Sequence, residues 1–195
     1  LGENKRPIPW LLYLLFPIII FILAMPSLGA NAGGTVTALA AFLLATALTG
    51  RWKTPQVIFS GMLILALAIG LNMLPGAKSH VGHALGQAVQ GNWPQLFKIL
   101  GRKFAMNLKL MRYSMWGKGL LVAFAVMGLF TYKPTRIMQR VLEKHPSVGT
   151  LMLCTLVAGI TGVVTNDSGV VAGGTISVYA AGLILHLTLA ERREK

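Results

Sequence analysis

The chain has 195 residues, of which 54% are hydrophobic and 12% charged, with a mean hydropathy of +0.66. Soluble domains carry roughly 25% charged residues, so this composition excludes an ordinary water-soluble globule. It points to an all-α, polytopic transmembrane helical bundle whose apolar runs approach the ~20 residues needed to cross a bilayer.

The formal net charge of +13 fits Lys and Arg collected in membrane-flanking loops against anionic lipid headgroups. Nucleic acid is not expected as a partner. The one cysteine, Cys154, lies in an apolar run and is read as packing. The chain begins Leu1-Gly2-Glu3, as a processed protein or a piece of a longer one would. The apolar run after Lys5-Arg6 loosely resembles a signal peptide but lacks a convincing small-residue cleavage site.

In chain order, Ile8 to Met25 is the first expected span, with Trp10 and Tyr13 near an interface and Pro17 inside it. A charge-free, Gly-rich turn over 26–34 leads to a short second span over 35–49. Arg51-Trp52-Lys53-Thr54-Pro55 forms a basic loop, and Val57 to Leu74 is the third span.

The segment 75–115 differs in character. Lys98, Arg102, Lys109 and Arg112 fall on one helical stripe, and Leu96, Phe97, Leu100, Phe104, Leu108 and Met111 take the opposite side. At 100° per residue the stripe covers about 80° and the apolar face about 120°. This predicts a basic amphipathic helix in the membrane interface over about 95–112. Lys103 and Asn107 interrupt its apolar face, four residues apart, either as a snorkelling lysine with a polar neighbour or as a functional pair.

Trp116 to Tyr132 is the fourth span, and Arg136, Arg140 and Lys144 line a short basic helix after it. Val148 to Thr165 is the fifth span, Asn166-Asp167-Ser168-Gly169 a turn, and Val170 to Leu189 the sixth. Residues 191–195 are expected in water. Six spans place both termini on one side with eleven of the 18 Lys and Arg. The positive-inside rule makes that side cytoplasmic.

Gly29-Ala30-Asn31-Ala32-Gly33-Gly34-Thr35-Val36-Thr37 aligns with Gly169-Val170-Val171-Ala172-Gly173-Gly174-Thr175-Ile176-Ser177 at an offset of 140. Two accounts stand: recurrent small residues for close helix approach, or a hairpin repeat of 8–49 on 148–189. Under the repeat, the two turns lie side by side on the non-cytoplasmic face, with helix N-termini turned to one pocket.

Asp167 is the only acid between Glu143 and Glu191. Asn166 or Asp167 either caps the sixth helix, or Asp167 joins Asn166, Ser168 and Asn31 in a polar site for a headgroup, ion or proton. His80 and His83 make a His-x-x-His pair on the same expected side, too few ligands for a metal site. No metal or other cofactor is expected in this chain. His186, inside the sixth span, reads as a helix-packing hydrogen bond. No nucleophile elbow, phosphate loop, dinucleotide fingerprint or zinc-protease motif is present.

Leu28-Gly29-Ala30-Asn31-Ala32-Gly33-Gly34, Ser79-His80-Val81-Gly82, Arg102-Lys103 with Asn107-Leu108, and Asn166-Asp167-Ser168-Gly169-Val170-Val171 occur in that order. Together they resemble the C-terminal transmembrane region of large bacterial membrane proteins whose extracytoplasmic domain is similar to the alkaline phosphatase and phosphoglycerate mutase superfamily. The resemblance implies two divalent metals in a domain outside this chain, and the chain has no complete catalytic constellation of its own. The position of Asn31 is often acidic in that pattern, so a two-carboxylate site is not implied here.

The expected function is a membrane module in the bacterial inner membrane. It would anchor or present a phosphorylated or lipid-linked substrate to such a domain, covalently linked or associated. The expected binding residues are Asn31, Gly33, Gly34, His80, Arg102, Lys103, Asn107, Asn166, Asp167, Ser168 and Gly169. The alternatives are a small ion-coupled transporter using Asp167 and a purely structural membrane subunit.

Overall fold

The computed structural model describes residues 10–25, 27–29, 31–49, 54–73, 91 and 93–193. Within them lie eight helices and no strand: α1 (Trp10–Ala24), α2 (Ala32–Leu48), α3 (Thr54–Met73), α4 (Trp93–Tyr113), α5 (Met115–Tyr132), α6 (Arg136–Lys144), α7 (Ser147–Thr165) and α8 (Gly169–Arg193). His80, His83 and the basic residues at 51–53 lie outside the described residues.

Among the described residues, three helices, α5, α7 and α8, are long and apolar enough to cross a membrane; α1 and α2 are apolar but shorter. Eighteen residues of helix at 1.5 Å each give α5 a length of about 27 Å, close to the hydrocarbon thickness. Trp116 and Tyr132 stand exposed at its two ends, as amphipathic rings do at membrane interfaces.

The bundle is built on α2 against α7, α7 against α8, and α8 against α5. The helices α1 and α3 join it chiefly through α2. Lipid tails are as apolar as leucine, so side-chain hydrophobicity does little to drive helix association here. Small residues that let backbones touch do more. A Cβ on Gly173 would lie 3.4 Å from the Gly159 Cα, and one on Gly162 would lie 3.7 Å from the Thr37 hydroxyl. The face of α7 that bears Gly159 and Gly162 therefore serves α2 and α8 together.

The conventional apolar core sits at the other end of the bundle. There Met127, Met138, Val141, Val148, Met152, Ala180 and Ile184 are buried in one cluster from α5, α6, α7 and α8. The short helix α6 turns Met138 and Val141 inward beneath α8. Its Lys144 and Arg140 reach Glu191 at 2.6 Å and 3.7 Å. Glu191 had been expected in water. Instead α8 runs on to Arg193 and the Glu191 side chain is only 8% exposed. Two cations offset the cost of burying that carboxylate.

The corner between α4 and α5 is one residue long. Ser114 is extended (φ −87°, ψ 141°) and its hydroxyl accepts the Trp116 N–H at 3.2 Å. A Cβ on Gly117 would sit 2.7 Å from the Met111 Cα and its carbonyl oxygen, so the tight corner needs glycine there. It fixes where α4 leaves the bundle.

Candidate functional site

The α7–α8 turn is three residues long, Asn166 to Ser168, and permits almost no space between the helices it joins. A Cβ on Gly169 would collide with the carbonyl of Gly162. The same relation holds at Gly29, where a Cβ would come 2.7 Å from the Ile22 carbonyl, also seven residues back. The pairs Gly29–Ile22 and Gly169–Gly162 differ by the 140-residue offset of the sequence alignment. The hydroxyls follow it as well. Thr35 and Thr37 donate to the Asn31 and Gly33 carbonyls at 2.8 Å. Thr175 and Ser177 donate to those of Val171 and Gly173 at 2.9 and 2.7 Å. The two helices nonetheless start at different points of the aligned pattern, α2 at Ala32 and α8 at Gly169.

The two hairpin turns meet. Gly33, in the first turn of α2, packs so closely on Asn166 that a Cβ would overlap its side-chain oxygen and come 2.8 Å from the Thr165 carbonyl. The hydroxyls of Thr37 and Thr165 both reach the Gly33 carbonyl, at 2.8 and 3.2 Å, and lie 3.4 Å from each other. Asn31 caps α2, its side-chain oxygen accepting from the Gly34 N–H at 2.8 Å. The positive ends of two helix dipoles, those of α2 and α8, are thereby brought to one place.

The turn is closed from outside by α4. The helix has three distinct faces. Phe97, Phe104 and Leu108 point away from the bundle and are exposed. Lys98, Arg102, Lys109 and Arg112 form an exposed stripe beside them. Along the third edge lie Lys103 and Asn107, and these dock onto the turn. Asn107 is 4% exposed. Its amide N–H donates to the Asn166 carbonyl at 2.7 Å and to the Lys103 carbonyl at 3.2 Å. Its oxygen accepts the Val170 backbone N–H at 3.1 Å.

Asn107 therefore supplies a cap to α8 from another helix. Capping by Asn166 or Asp167, as anticipated from the sequence, is not what this N-terminus uses. Asn166 instead ends α7, its N–H bonded to the Gly162 carbonyl at 2.9 Å. The ammonium of Lys103 donates to the Thr165 carbonyl at 3.2 Å, placing a cation at the negative end of α7. One helix edge thus satisfies both ends of the turn, the carbonyl end with a cation and the amide end with an acceptor.

Asp167 faces solvent, 65% exposed, with its carboxylate 3.6 Å from the Lys103 ammonium. A pair so open to water contributes about 0–1 kcal/mol. Ser168, next to Asp167 in sequence, and Arg102, next to Lys103, are both exposed. Of the expected binding residues, Gly33, Gly34, Asn31, Lys103, Asn107 and Asn166 to Gly169 belong to this one junction. His186 points outward from α8 and is exposed, so it does not make the helix-packing bond read from the sequence. Cys154 is a free, half-buried thiol in α7. Among the described residues, no three His, Cys, Asp or Glu side chains come together as metal ligands. No family model, curated protein or solved structure matches the chain.

The trans cap left no local trace in the sequence. The polar side chain that serves the turn lies 63 residues before the amide it accepts. The only signal was the misfit of Lys103 and Asn107 on an otherwise regular apolar face.

Proposed function

We propose that this chain is a multi-pass membrane domain that binds the phosphorylated headgroup of a lipid-linked substrate at the α7–α8 turn. It presents that group to an extracytoplasmic hydrolase-type domain, linked or associated, of the kind its motifs resemble. The observation that carries this reading is the position of Lys103. Its ammonium is anchored on the Thr165 carbonyl, where the starts of α2 and α8 converge, and its one carboxylate partner among the described residues is exposed and 3.6 Å away. A phosphate oxygen can take the place of Asp167 there at little cost, and helix N-termini favour anions. The basic stripe of α4 adds attraction for a negative headgroup.

In this reading the chain crosses a bacterial inner membrane six times with both termini cytoplasmic. The junction then faces the outside, on the side of the hydrolase domain. Epitope tags at either end that stay inaccessible in intact spheroplasts are the expected result.

The binding test uses dihexanoyl phosphatidic acid added to the protein in phosphatidylcholine nanodiscs. Lys103→Met is expected to weaken binding at least about tenfold, the worth of one charge-assisted hydrogen bond. Asp167→Asn is expected to strengthen it. Equal binding by Lys103→Met and the unaltered protein refutes the reading.

A carrier built on two repeated hairpins draws support from the matched geometry at Gly29 and Gly169. It requires that Asp167→Asn abolish ion-coupled uptake into vesicles, and unchanged uptake removes it.

A further inference from the structure

We infer that α4 senses the charge of the membrane surface and transmits it to the α7–α8 turn through Asn107. The partner is an anionic lipid leaflet, and the device is a single helix whose two working surfaces are rigidly joined.

The outer surface has the chemistry of an interfacial binder. Phe97, Phe104 and Leu108 are exposed, and the ammonium and guanidinium groups of Lys98, Arg102, Lys109 and Arg112 run beside them. Such a helix lies with its apolar side in the acyl boundary and its basic side among headgroups, more tightly where those headgroups are negative. Trp93 and Tyr113 at its two ends, and Trp116 just beyond it at the start of α5, are also exposed, the residues that anchor at this depth.

The inner edge holds the turn by few and specific bonds. Over the five residues from Asn107 to Met111, a rise of about 6 Å, α4 meets the end of α7, the start of α8 and the start of α5. The α5 contact is fixed by the one-residue corner at Ser114 and the close approach of Gly117. The contact with the turn is polar: Asn107 to Asn166 and Val170, and Lys103 to Thr165. The net worth of each such bond is of the same order as the pull of an anionic surface on one basic side chain. Four basic residues on the stripe are therefore enough to bias whether the polar latch is shut.

On an anionic leaflet the stripe holds α4 down and Asn107 stays on Val170 and Asn166. On a neutral leaflet the latch alone holds it, and the turn opens more often. Lys103 moves with the same helix, so surface charge also governs how the proposed headgroup site is assembled. That last step rests on the headgroup reading, whereas the latch itself needs no substrate.

The experiment is hydrogen exchange at the Val170 amide, in nanodiscs of phosphatidylcholine alone and in an equimolar mixture with phosphatidylglycerol. In the unaltered protein, exchange at Val170 is expected to slow at least about fivefold in the anionic discs, the worth of one hydrogen bond. Amides of α7 near Val148, at the opposite end, are expected to stay unchanged. The triple variant Lys98→Gln, Lys109→Gln, Arg112→Gln keeps the neutral-disc rate and loses the lipid dependence. Asn107→Ala exchanges fast in both discs. Lipid dependence that survives in the triple variant, or is missing from the unaltered protein, overturns the inference. If Lys103→Met leaves phosphatidic acid binding intact while the lipid-dependent exchange persists, the headgroup reading fails and the sensor stands.

Discussion

Replacing Asn107 with alanine tests the capping arrangement at its centre. The substitution removes an acceptor from the Val170 N–H and a donor from the Asn166 carbonyl, at a position only 4% exposed. Loss of an N-cap costs about 0.5–2 kcal/mol. A buried carbonyl left without its donor adds about 1 kcal/mol. Polar contacts between membrane helices measure nearer 0.6 kcal/mol on average, which draws the sum toward the low end. The expected loss is about 2 kcal/mol, read as a shift in the denaturant midpoint of the protein in bicelles at constant m-value.

Asn107→Asp separates the two halves of the effect. It keeps an acceptor for Val170 but sets a carboxylate against the Asn166 carbonyl, so it is expected to be no more stable than the alanine variant. A loss below about 0.5 kcal/mol for Asn107→Ala, within the scatter of ordinary surface changes, would show that water replaces the side chain at both partners. The trans cap would then be incidental.

The glycines of the junction give a sharper contrast. Gly33→Ala forces a methyl group onto Asn166 and the Thr165 carbonyl and is expected to cost at least about 2 kcal/mol, as overpacking does. Gly101→Ala meets nothing on the exposed side of α4 and is expected to stabilise the protein by up to about 1 kcal/mol through helix propensity. The same unfolding assay checks both. Glu191→Ala, which leaves Arg140 and Lys144 facing each other without their acid, is expected to lower stability by about 2 kcal/mol; those cations still reach water, so the cost falls short of that for a fully enclosed pair. Asp167→Asn removes only an exposed ion pair, and a change larger than about 1 kcal/mol in the midpoint would contradict the position given to that side chain.

The helices themselves were largely written in the sequence, because membrane spans and the amphipathic helix are set by local hydropathy and by the 3.6-residue period. The spans ended within a few residues of the helices at both ends of α5 and α7. What hydropathy conveys poorly is depth. Asp167 stood out because its neighbours are apolar, yet those neighbours are the ends of two helices and the carboxylate reaches solvent between them. Glu191 misled in the opposite sense. It sits among charged residues near the C-terminus, and only the fold of α6 under α8 brings Arg140 and Lys144 against it. The meeting of the two hairpin turns followed from one of the two accounts of the 140-residue echo, the other being recurrent small residues. Which residue caps which helix was not, since that pairing is made across 63 residues.

The hydroxyls of α2 carry a consequence for how the protein is assembled. The principal partner of this helix, α7, is synthesised long after it; the hydroxyls of Thr37 and Thr165 that finally approach each other are 128 residues apart. In that interval the hydroxyls of α2 are without the helix that later covers them. Thr35, Thr37, Thr46 and Thr49 each donate to a carbonyl of their own helix or its cap, at 2.8 to 2.9 Å. The hydroxyl donors of the helix are therefore satisfied locally before α7 arrives. Packing of α7 then adds contact without first having to break these bonds, since the Thr37 hydroxyl keeps its bond to the Gly33 carbonyl in the assembled bundle.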